Sequence, residues 1–534
     1  MRIHVRALTV ALVLALPAAA RAQNPPSLFL EDITFDEVRS LIQGGHRSVI
    51  LPTGGTEDNG PHMTLGKHNY IVANAAERIA RTLGNTLVAP VIAYVPEGSW
   101  APPTDHMRYP GTMSLPDAEG YRDLLAAAAA SLRAGGFENV ILIGDSGGSQ
   151  RGLQVVADEL NTAWLGSGAR ALFVSDYYAK AMEDQNRYVS ETLGLPESEI
   201  GTHANIVDTS QLMFVKAEMV HEDRFGLASA ATGVSGDPSR ANRQLGGRLL
   251  AIKVDAAVAQ IRAGLSLPES EPSRAGSMPE PVFPSPSGLA LEEMTWMEVR
   301  DAVARGSTVA IVPTGGTEKN GFHMALGKHN FLIREGAEEM ARVLGNALVA
   351  PVIQYVPEAE ATPETPGVLS CRDGCFERIV AAAARSLRAG GFKDILLIGD
   401  NGGNQAGLRA VAERLSREWA GSGAEVFAIT DYYDKGHADL DAYLLSRYGW
   451  DARTVGSHAG IADTSQLLYV RPQDVRLDQL ARSEADRAGS GASGEPTRAT
   501  AELGLVALQF KIDAGVAQYG ALKARTQETQ PDGR

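Results

Sequence analysis

The chain has 534 residues, a formal net charge of −15 and only two cysteines, Cys371 and Cys375. This length is enough for two or more domains with sizeable cores. The acidic balance argues against a nucleic-acid partner, because phosphate binding needs a basic surface. Two cysteines cannot form a disulfide scaffold, so the fold must depend on buried apolar surface. A local bridge and two free thiols are equally compatible with the spacing.

The N-terminal residues 1–22 have the layout of a secretory signal peptide. Arg2 and Arg6 form a basic start, the apolar run ALTVALVLALPAAA follows, and ARA precedes Gln23. The run is short for a membrane span, although an uncleaved anchor is the alternative. We expect an exported protein, periplasmic or extracellular, whose mature form has no membrane segment.

The rest of the chain contains an internal repeat of two copies. LPTGGTEDNGPHMTLGKHN at 51–69 returns as VPTGGTEKNGFHMALGKHN at 312–330, and four later segments return in the same order. The period is far too long for a solenoid, so it indicates duplicated domains. The predicted organisation is domain 1 at 23–265, a Pro/Ser-rich linker at 266–288, domain 2 at 289–520 and a polar tail at 521–534.

Within each copy, short apolar runs alternate with amphipathic helical patterns. In the first copy the strand-like runs are RSVILPTGG, TLVAPVIAYV, NVILIGD and RALFVSDYY. Runs this rich in Val, Ile and Leu are typical of buried parallel strands. The predicted fold class is α/β, with two tandem αβα sandwich domains and mostly parallel sheets. Ligand sites in such sheets gather at the carboxyl ends of the strands.

One of these strands ends in GDSGG, a sequence that also surrounds the nucleophile of chymotrypsin-like proteases. Here Ser146 follows an apolar strand and precedes a helix, which is not the context of an antiparallel barrel. The second copy has Asn401 at this place, and an amide cannot replace a nucleophilic hydroxyl. We therefore do not expect Ser146 to be a nucleophile.

Four motifs, present in order in both copies, resemble the creatininase family of metal-dependent amidohydrolases. LPTGGTEDNGPHMTLGKH is similar to the family pattern L-P-x-G-S-x-E-x-H-G-P-H-L-P-L-x-T-D. GDSGGS and GDNGGN match its glycine loop, and HANIVDTS with GVSGDPSRA matches its two later motifs. The resemblance implies a creatininase-like αβα sandwich, metal-activated hydrolysis of C–N bonds in cyclic or linear amides, and association of single-domain subunits.

The residues that the family uses as metal ligands are partly exchanged here. The first glutamate stays as Glu57, but the next histidine is Asn59, the terminal aspartate is His68, and the loop histidine falls on Ser146, directly after Asp145. The last acid is Asp208. The resemblance therefore implies metal sites in both copies at these positions: Glu57, His68, Asp145, Asp208, Glu318, His329, Asp400 and Asp463.

One nitrogen with carboxylate oxygens suits Zn²⁺ or Mn²⁺. One ion per domain is expected rather than two, because an imidazole ordinarily serves one metal. Helix capping by Glu57 or His68, and a turn role for Asp145, are the alternatives.

Other polar residues are candidates for catalysis or substrate binding. His203 and His458 are predicted to transfer protons or contact substrate, with a core histidine as the alternative. Lys67 and Lys328 are candidates to polarise a carbonyl, although surface lysines are common. His106, in HMRYPGT, resembles part of the family's substrate loop, and the second copy lacks it. His62 and His323 are either replacement ligands or supports.

The leading hypothesis is an exported metal-dependent amidohydrolase that acts on a small-molecule amide, with the first copy favoured as the working site. The alternative is a catalytically degenerate domain pair that binds a small amide-like ligand or a protein partner. In either case we expect the copies to pack as a pseudo-twofold pair, with a possible further homo-oligomer. The sequence does not identify the substrate.

Overall fold

The computed structural model describes residues 27–267 and 287–529. The predicted signal peptide and most of the predicted linker lie outside these residues. The strands and helices of the first copy are β1 Ser48–Thr53, β2 Thr86–Val88, β3 Asn139–Gly144, β4 Arg170–Phe173, α1 Phe35–Gln43, α2 Lys67–Leu83, α3 Tyr121–Ala134, α4 Gln150–Ala163, α5 Ala179–Leu193, α6 Glu197–Ile200, α7 Ile206–Val215 and α8 Arg243–Leu265.

The second copy repeats this order with two additional short helices. Its elements are β5 Val309–Thr314, β6 Ala347–Val349, β7 Asp394–Gly399, β8 Glu425–Ala428, α9 Trp296–Ala304, α10 Lys328–Leu344, α11 Cys375–Ala389, α12 Asn404–Glu418, α13 Asp434–Tyr448, α14 Ala452–Val455, α15 Ile461–Val470, α16 Leu480–Ala485, α17 Arg487–Ser490 and α18 Ala501–Thr529. Cys371 and Cys375 form a disulfide at the start of α11.

Each copy has a four-stranded, fully parallel sheet, in the order β2-β1-β3-β4 and β6-β5-β7-β8. Helices α3 and α4 pack on each other and on β3, whereas α2 packs on β1 and on α7 and α8. The predicted fold class is thereby confirmed. β1 is buried along its whole length, as a strand covered on both faces must be. It pairs with β3 from Ser48–Asn139 to Thr53–Gly144, so the segments after β1 and β3 leave the sheet side by side.

The structure departs from the predicted elements in two places. The second strand ends at Val88, and Ile92 and Val95 make only isolated bridges, because Pro90 interrupts the run and has no N–H to donate. Helix α18 continues past position 520, where the sequence suggests a polar tail. Lys523 holds this last part by contacting Asp394 at 2.7 Å and Glu425 at 3.0 Å. No described helix is long and apolar enough to cross a bilayer.

The two copies contact each other through reciprocal hydrogen bonds. The Tyr94 hydroxyl donates to the carbonyl of Pro351 at 2.6 Å, and the Tyr355 hydroxyl donates to the carbonyl of Pro90 at 2.7 Å. The same apolar core cluster contains buried side chains of both copies. This is the isologous contact of a pseudo-twofold pair.

Helix α18 offers a test of the close packing between helices. A Cβ added at Gly504 would lie 1.9 Å from the carbonyl oxygen of Ser465 in α15, whereas one at Gly520 would meet nothing within 4 Å. We expect Gly504→Ala to lower the free energy of unfolding by about 1–3 kcal/mol through overpacking. Gly520→Ala should raise it by up to about 1 kcal/mol through helix propensity. Thermal unfolding measures both, and shifts in the same direction would contradict this account.

Candidate active site

A cavity of about 400 Å³ opens beyond the carboxyl ends of β1 and β3 in the first copy. Its lining includes seven of the candidate residues of this copy, namely Glu57, Lys67, His68, His106, Asp145, His203 and Asp208, but not His62. The parallel register explains this convergence. Glu57 follows β1, Asp145 follows β3, and His68 is in the first turn of α2.

In the lining of the cavity, oppositely charged side chains alternate in a row that we call the buried ion chain. It runs from Lys253 through Asp145 and His68 to Glu57, with successive contacts of 2.6, 2.7 and 2.7 Å. The second copy has the same chain, from Lys511 through Asp400, His329 and Glu318, with contacts of 2.7, 2.7 and 2.8 Å. All eight residues except Glu318 are at most 7% exposed.

His68 is the centre of this chain and carries a positive charge. Ionised carboxylates only accept hydrogen bonds, so its two ring nitrogens both donate, one to Asp145 and one to Glu57. Burial and the Lys67 ammonium oppose this charge, but the two carboxylates outweigh them and raise the pKa of His68. Burial opposes the charge of Asp145 in the same way, and Lys253 and His68 nevertheless lower its pKa.

The predicted ligands Glu57, His68 and Asp145 thus lie together, and their equivalents do so in the second copy. Their binding of a metal stays a prediction. His68 would have to give up one of its two carboxylate partners to offer a lone pair, and Asp145 is already engaged by Lys253, by His68 and by the Tyr177 hydroxyl at 2.8 Å. These contacts favour a set of metal ligands that does not include His68 or Asp145.

A second cluster, at the mouth of the first-copy site, consists of Glu57, His106 and His203. One potential ligand atom from each lies within 4.8 Å of the others. Glu57 Oε2 is 3.5 Å from His106 Nε2, and Glu57 Oε1 is 3.7 Å from His203 Nδ1. We call this cluster the histidine–glutamate trio. It is the only such group of three found among residues 27–267 and 287–529.

Asp58 orients both histidines of the trio. Its carboxylate accepts from His106 Nδ1 at 2.6 Å, and its backbone carbonyl accepts from His203 Nε2 at 2.9 Å. A carbonyl cannot donate, so a neutral His203 carries its lone pair on Nδ1, the atom nearest Glu57. Metal-binding histidines commonly give their other ring nitrogen to a carboxylate or a carbonyl in this way. The trio therefore fits a divalent ion.

The pKa values of the two histidines shift in opposite directions. Burial lowers the pKa of His203, which favours its neutral form. Burial acts in the same direction on His106, but the Glu57 and Asp58 carboxylates outweigh it and raise the pKa of His106 to about 9. Burial likewise opposes the charge of Glu57, and His106, His68 and Lys67 hold its pKa well below its usual value.

Asp208 and Lys67 stabilise the segment that carries His203. Asp208 Oδ2 accepts from the N–H of Ala204 at 2.9 Å and from Lys67 Nζ at 3.2 Å. Ala204 has the unusual φ of 50°, so this bond stabilises the strained turn directly after His203. Asp463 makes the same bond to Ala459, whose φ is 48°. Lys67 is only 1% exposed, so it is a buried ion-pair partner and not a surface lysine.

Other motif residues belong to the scaffold. The Asn59 amide donates to the carbonyls of Glu57, Thr64 and Leu65. His62 is within 3.0 Å of the Thr209 hydroxyl, and burial lowers its pKa to about 4. His323 lies 2.9 Å from the equivalent Thr464 hydroxyl and also 2.9 Å from the Ser483 hydroxyl, and burial lowers its pKa to about 4. Neither histidine is part of the trio or the buried ion chain.

Sequence reasoning missed several residues of this site. Lys253 and Lys511 lie in AIKVDAAVAQ and QFKIDAGVAQ, so their repetition was the available signal. Glu97 also recurs, as Glu358, in the repeated segment ending in VPE. Burial and the nearby Glu57 raise the pKa of Glu97 well above its usual value. Asp58 does not recur, because Lys319 stands at its place.

The second copy retains the ion chain but not the trio. Lys328 is buried beside Asp463 at 3.0 Å, and His458 Nε2 donates to the carbonyl of Lys319 at 2.8 Å. His458 Nδ1 is 3.7 Å from Glu318, as in the first copy. The chain is five residues shorter where the His106 loop would be, and Lys319 brings an ammonium where the first copy has the Asp58 carboxylate. One histidine and one glutamate of the trio therefore remain.

Comparison with known proteins now identifies the family. The family model described as creatininase, creatinine amidohydrolase, matches residues 31–261 and 292–517. The chain belongs to the creatininase family. Both copies match, as the repeated motifs predict.

The creatininase relatives are distant. A 3-dehydro-scyllo-inosose hydrolase of Thermotoga maritima is 24% identical over 203 residues, which cover 38% of this chain and 60% of that protein. A creatinine amidohydrolase of Pseudomonas putida is 27% identical over 197 residues, covering 35% of this chain and 74% of that protein. A crystal structure of creatinine amidohydrolase aligns with a TM-score of 0.36 and 22% identity, over 44% of this chain and 97% of the solved chain.

The buried ion chain can be tested in the second copy with Lys511→Met. Asp400 would lose one of its two cationic partners while staying buried, and His329 would be left between two carboxylates with only one positive charge, so we expect the free energy of unfolding at pH 7 to fall by about 3–5 kcal/mol. Lys435→Met, which breaks an exposed pair with Asp439, should cost at most about 1 kcal/mol.

The effect should depend on pH. Burial opposes the charge of Asp400, but Lys511 and His329 lower its pKa from 3.8 to about 2. Its stabilisation is therefore present above about pH 4 and is lost as the pH falls through about 2. The difference between Lys511→Met and the unchanged protein should shrink over this window in denaturant titrations. A difference that grows on acidification would contradict the assignment.

Proposed function

We propose that the first copy is a metal-dependent amidohydrolase acting on a C–N bond of a small amide, and that the second copy is catalytically degenerate. The observation that carries the proposal is the histidine–glutamate trio, oriented by Asp58 at the mouth of a cavity of about 400 Å³. Membership of the creatininase family supports the reaction class. Export through the N-terminal segment is part of the proposal.

Glu57, His106 and His203 would hold the ion. Two imidazoles with one glutamate form a ligand set of catalytic zinc sites, and Mn²⁺ also accepts carboxylate and imidazole donors. A divalent ion bound there would lower the pKa of its water to roughly 7 and supply hydroxide at neutral pH. In this proposal His106 and His203 are ligands, and His68 and Asp145 support Glu57 from below.

The remaining residues provide orientation and proton control. His68 and Lys67 keep Glu57 ionised and limit its rotation, because Glu57 Oε1 is 2.7 Å from His68 and 3.6 Å from Lys67. Glu97, whose pKa burial and Glu57 raise well above its usual value, adds a carboxyl group to the cavity wall. The cavity volume limits the substrate to a small molecule, or to one end of a larger one.

The alternative is a domain pair that binds an amide-like ligand or a protein without hydrolysing anything. The second copy favours this alternative for itself, because it lacks His106 and has Lys319 in place of Asp58. Its Glu318 and His458 remain close, at 3.7 Å, but two donors are a weak site for a catalytic metal.

Metal titration of the metal-free chain with Zn²⁺ or Mn²⁺ tests the ligand set. We expect one tightly bound ion per chain. His106→Ala and His203→Ala should each weaken binding at least about tenfold, since each removes one of three ligands. His458→Ala is the matched control in the second copy and should leave the stoichiometry at one. Equal loss in His458→Ala, or no uptake by the unchanged chain, would overturn the proposal.

Hydrolysis of cyclic ureas, lactams and formamides, assayed with the bound metal, tests the reaction class. Glu57→Gln should reduce the rate of any substrate found by at least about a hundredfold, because it replaces an ionised ligand with a neutral amide. Ser146→Ala should leave that rate largely unchanged. Metal uptake without hydrolysis in a broad screen would favour the ligand-binding alternative.

A further inference from the structure

We infer that the second copy positions the metal-binding loop of the first. The element responsible is the start of α9, above all Trp296, which we assign as a positioning residue for the loop that carries His106. The inference rests on the proposed function for its effect on metal binding. Its structural part, the coupling between α9 and the loop, stands on contacts alone.

Trp296 of the second copy contacts two segments of the first copy, one at Tyr109 and one at Thr232. Its ring meets that of Tyr109 edge to face, with centroids 5.0 Å apart, and its indole N–H donates to the carbonyl of Thr232 at 3.3 Å. The side chain is 8% exposed and is therefore part of the packed interface. Tyr109 is joined to His106 by a backbone hydrogen bond of 3.0 Å, so its position limits where the imidazole can lie.

Val299, one helical turn further along α9, packs against the same loop. A Cβ on Gly111 would lie 3.1 Å from Val299 Cγ2 and 2.5 Å from Leu65 Cδ1. Gly111 has a φ of +89°, so the loop turns against α9 where only a glycine fits easily. Two residues later, the N–H of Met113 donates to the carbonyl of Thr56 at 2.8 Å, which returns the chain to the segment of Glu57.

The segment at Thr232 packs closely against Asp58. Gly233 follows Thr232, and a Cβ there would lie 2.2 Å from Asp58 Oδ2 and 3.4 Å from Tyr109 Cζ. Trp296 thus holds both sides of the space around Asp58, the residue that orients His106 and His203. Loosening Trp296 should disturb all three ligands' geometry without removing a ligand.

The pseudo-twofold arrangement supplies an internal control. Phe35 and Val38 of α1 are the first-copy equivalents of Trp296 and Val299. Phe35 stacks on Phe322 with centroids 5.5 Å apart, and Val38 lies 3.7 Å from the Cβ position of Gly367. Both contacts are made with the second copy, where no histidine corresponds to His106. Equal truncations in α1 and α9 therefore disturb similar packing but only one metal-binding loop.

The first experiment compares Trp296→Leu with Phe35→Leu in the full chain. In metal-free protein, we expect amide hydrogen exchange of residues 105–113 to accelerate in Trp296→Leu and to stay unchanged in Phe35→Leu. Zn²⁺ affinity should fall about tenfold in Trp296→Leu, the lower end of the effect of losing outer support for a metal ligand. It should stay within about twofold of the unchanged chain in Phe35→Leu.

Val299→Ala and Val38→Ala are the milder pair, for the case in which Trp296→Leu does not fold. Val299→Ala should show the same two effects at smaller size, and Val38→Ala neither. Unchanged exchange in residues 105–113 in Val299→Ala and Trp296→Leu, or equal weakening of Zn²⁺ binding by the α1 variants, would overturn the inference.

The two proposals fail separately. If the unchanged chain binds no Zn²⁺, the proposed function falls, and the exchange measurement alone decides whether α9 positions the loop. If the unchanged chain binds one ion and the α9 variants bind it equally well, the inference falls while the proposed function stands.

Discussion

The imidazolium of His68 between two carboxylates is the interaction on which the rest of this site depends. Asp145 and Glu57 follow neighbouring strands and would repel each other at the edge of the sheet, where burial already disfavours their charges. His68, from α2, separates them at 2.7 Å on each side, and Lys253, from α8, neutralises the far carboxylate at 2.6 Å. The buried ion chain thereby joins two strands and two helices at one point. Its desolvation cost is tolerable only because every charge has a close opposite partner.

Glu57 belongs both to the buried ion chain and to the histidine–glutamate trio. One of its oxygens is held by His68, and the other faces His106 at 3.5 Å. A metal-binding carboxylate with one oxygen fixed from below cannot turn away from the cavity, which is the outer support that metal ligands commonly need. Asp58, the next residue, gives the same support to the two histidines from the side. Two adjacent acids thus have different tasks, and their surroundings decide which is which.

The fold and the position of the site were predictable because they follow from periodic and repeated features. Buried apolar runs alternating with helices indicate a parallel sheet, and the repeated polar residues follow strands, so Glu57, His68 and Asp145 were expected to converge.

The hydrogen-bonding state of His68 was not predictable, because a motif does not show what occupies each ring nitrogen. Asp58 was missed because comparison of the copies emphasises what recurs, and this residue does not. Lys253 lies in a helix whose pattern gives no sign that its ammonium is buried. Trp296 acts across the pseudo-twofold interface, and no motif of the first copy includes it.

The comparison of the copies separates what the fold needs from what the proposed chemistry needs. The second copy keeps all four members of the ion chain, the Asp463 bond to a strained turn and the contacts across the pseudo-twofold axis, while Lys319 and a shortened loop replace the outer parts of the trio. Breaking the ion chain would leave a buried charge unpaired, whereas losing a histidine at the cavity mouth costs the fold little. A duplicated domain can therefore lose a metal site without losing its structure. What it cannot lose, if α9 positions the His106 loop, is the surface that it presents to the first copy. Under the proposed function, that requirement keeps a catalytically degenerate copy folded beside an active one.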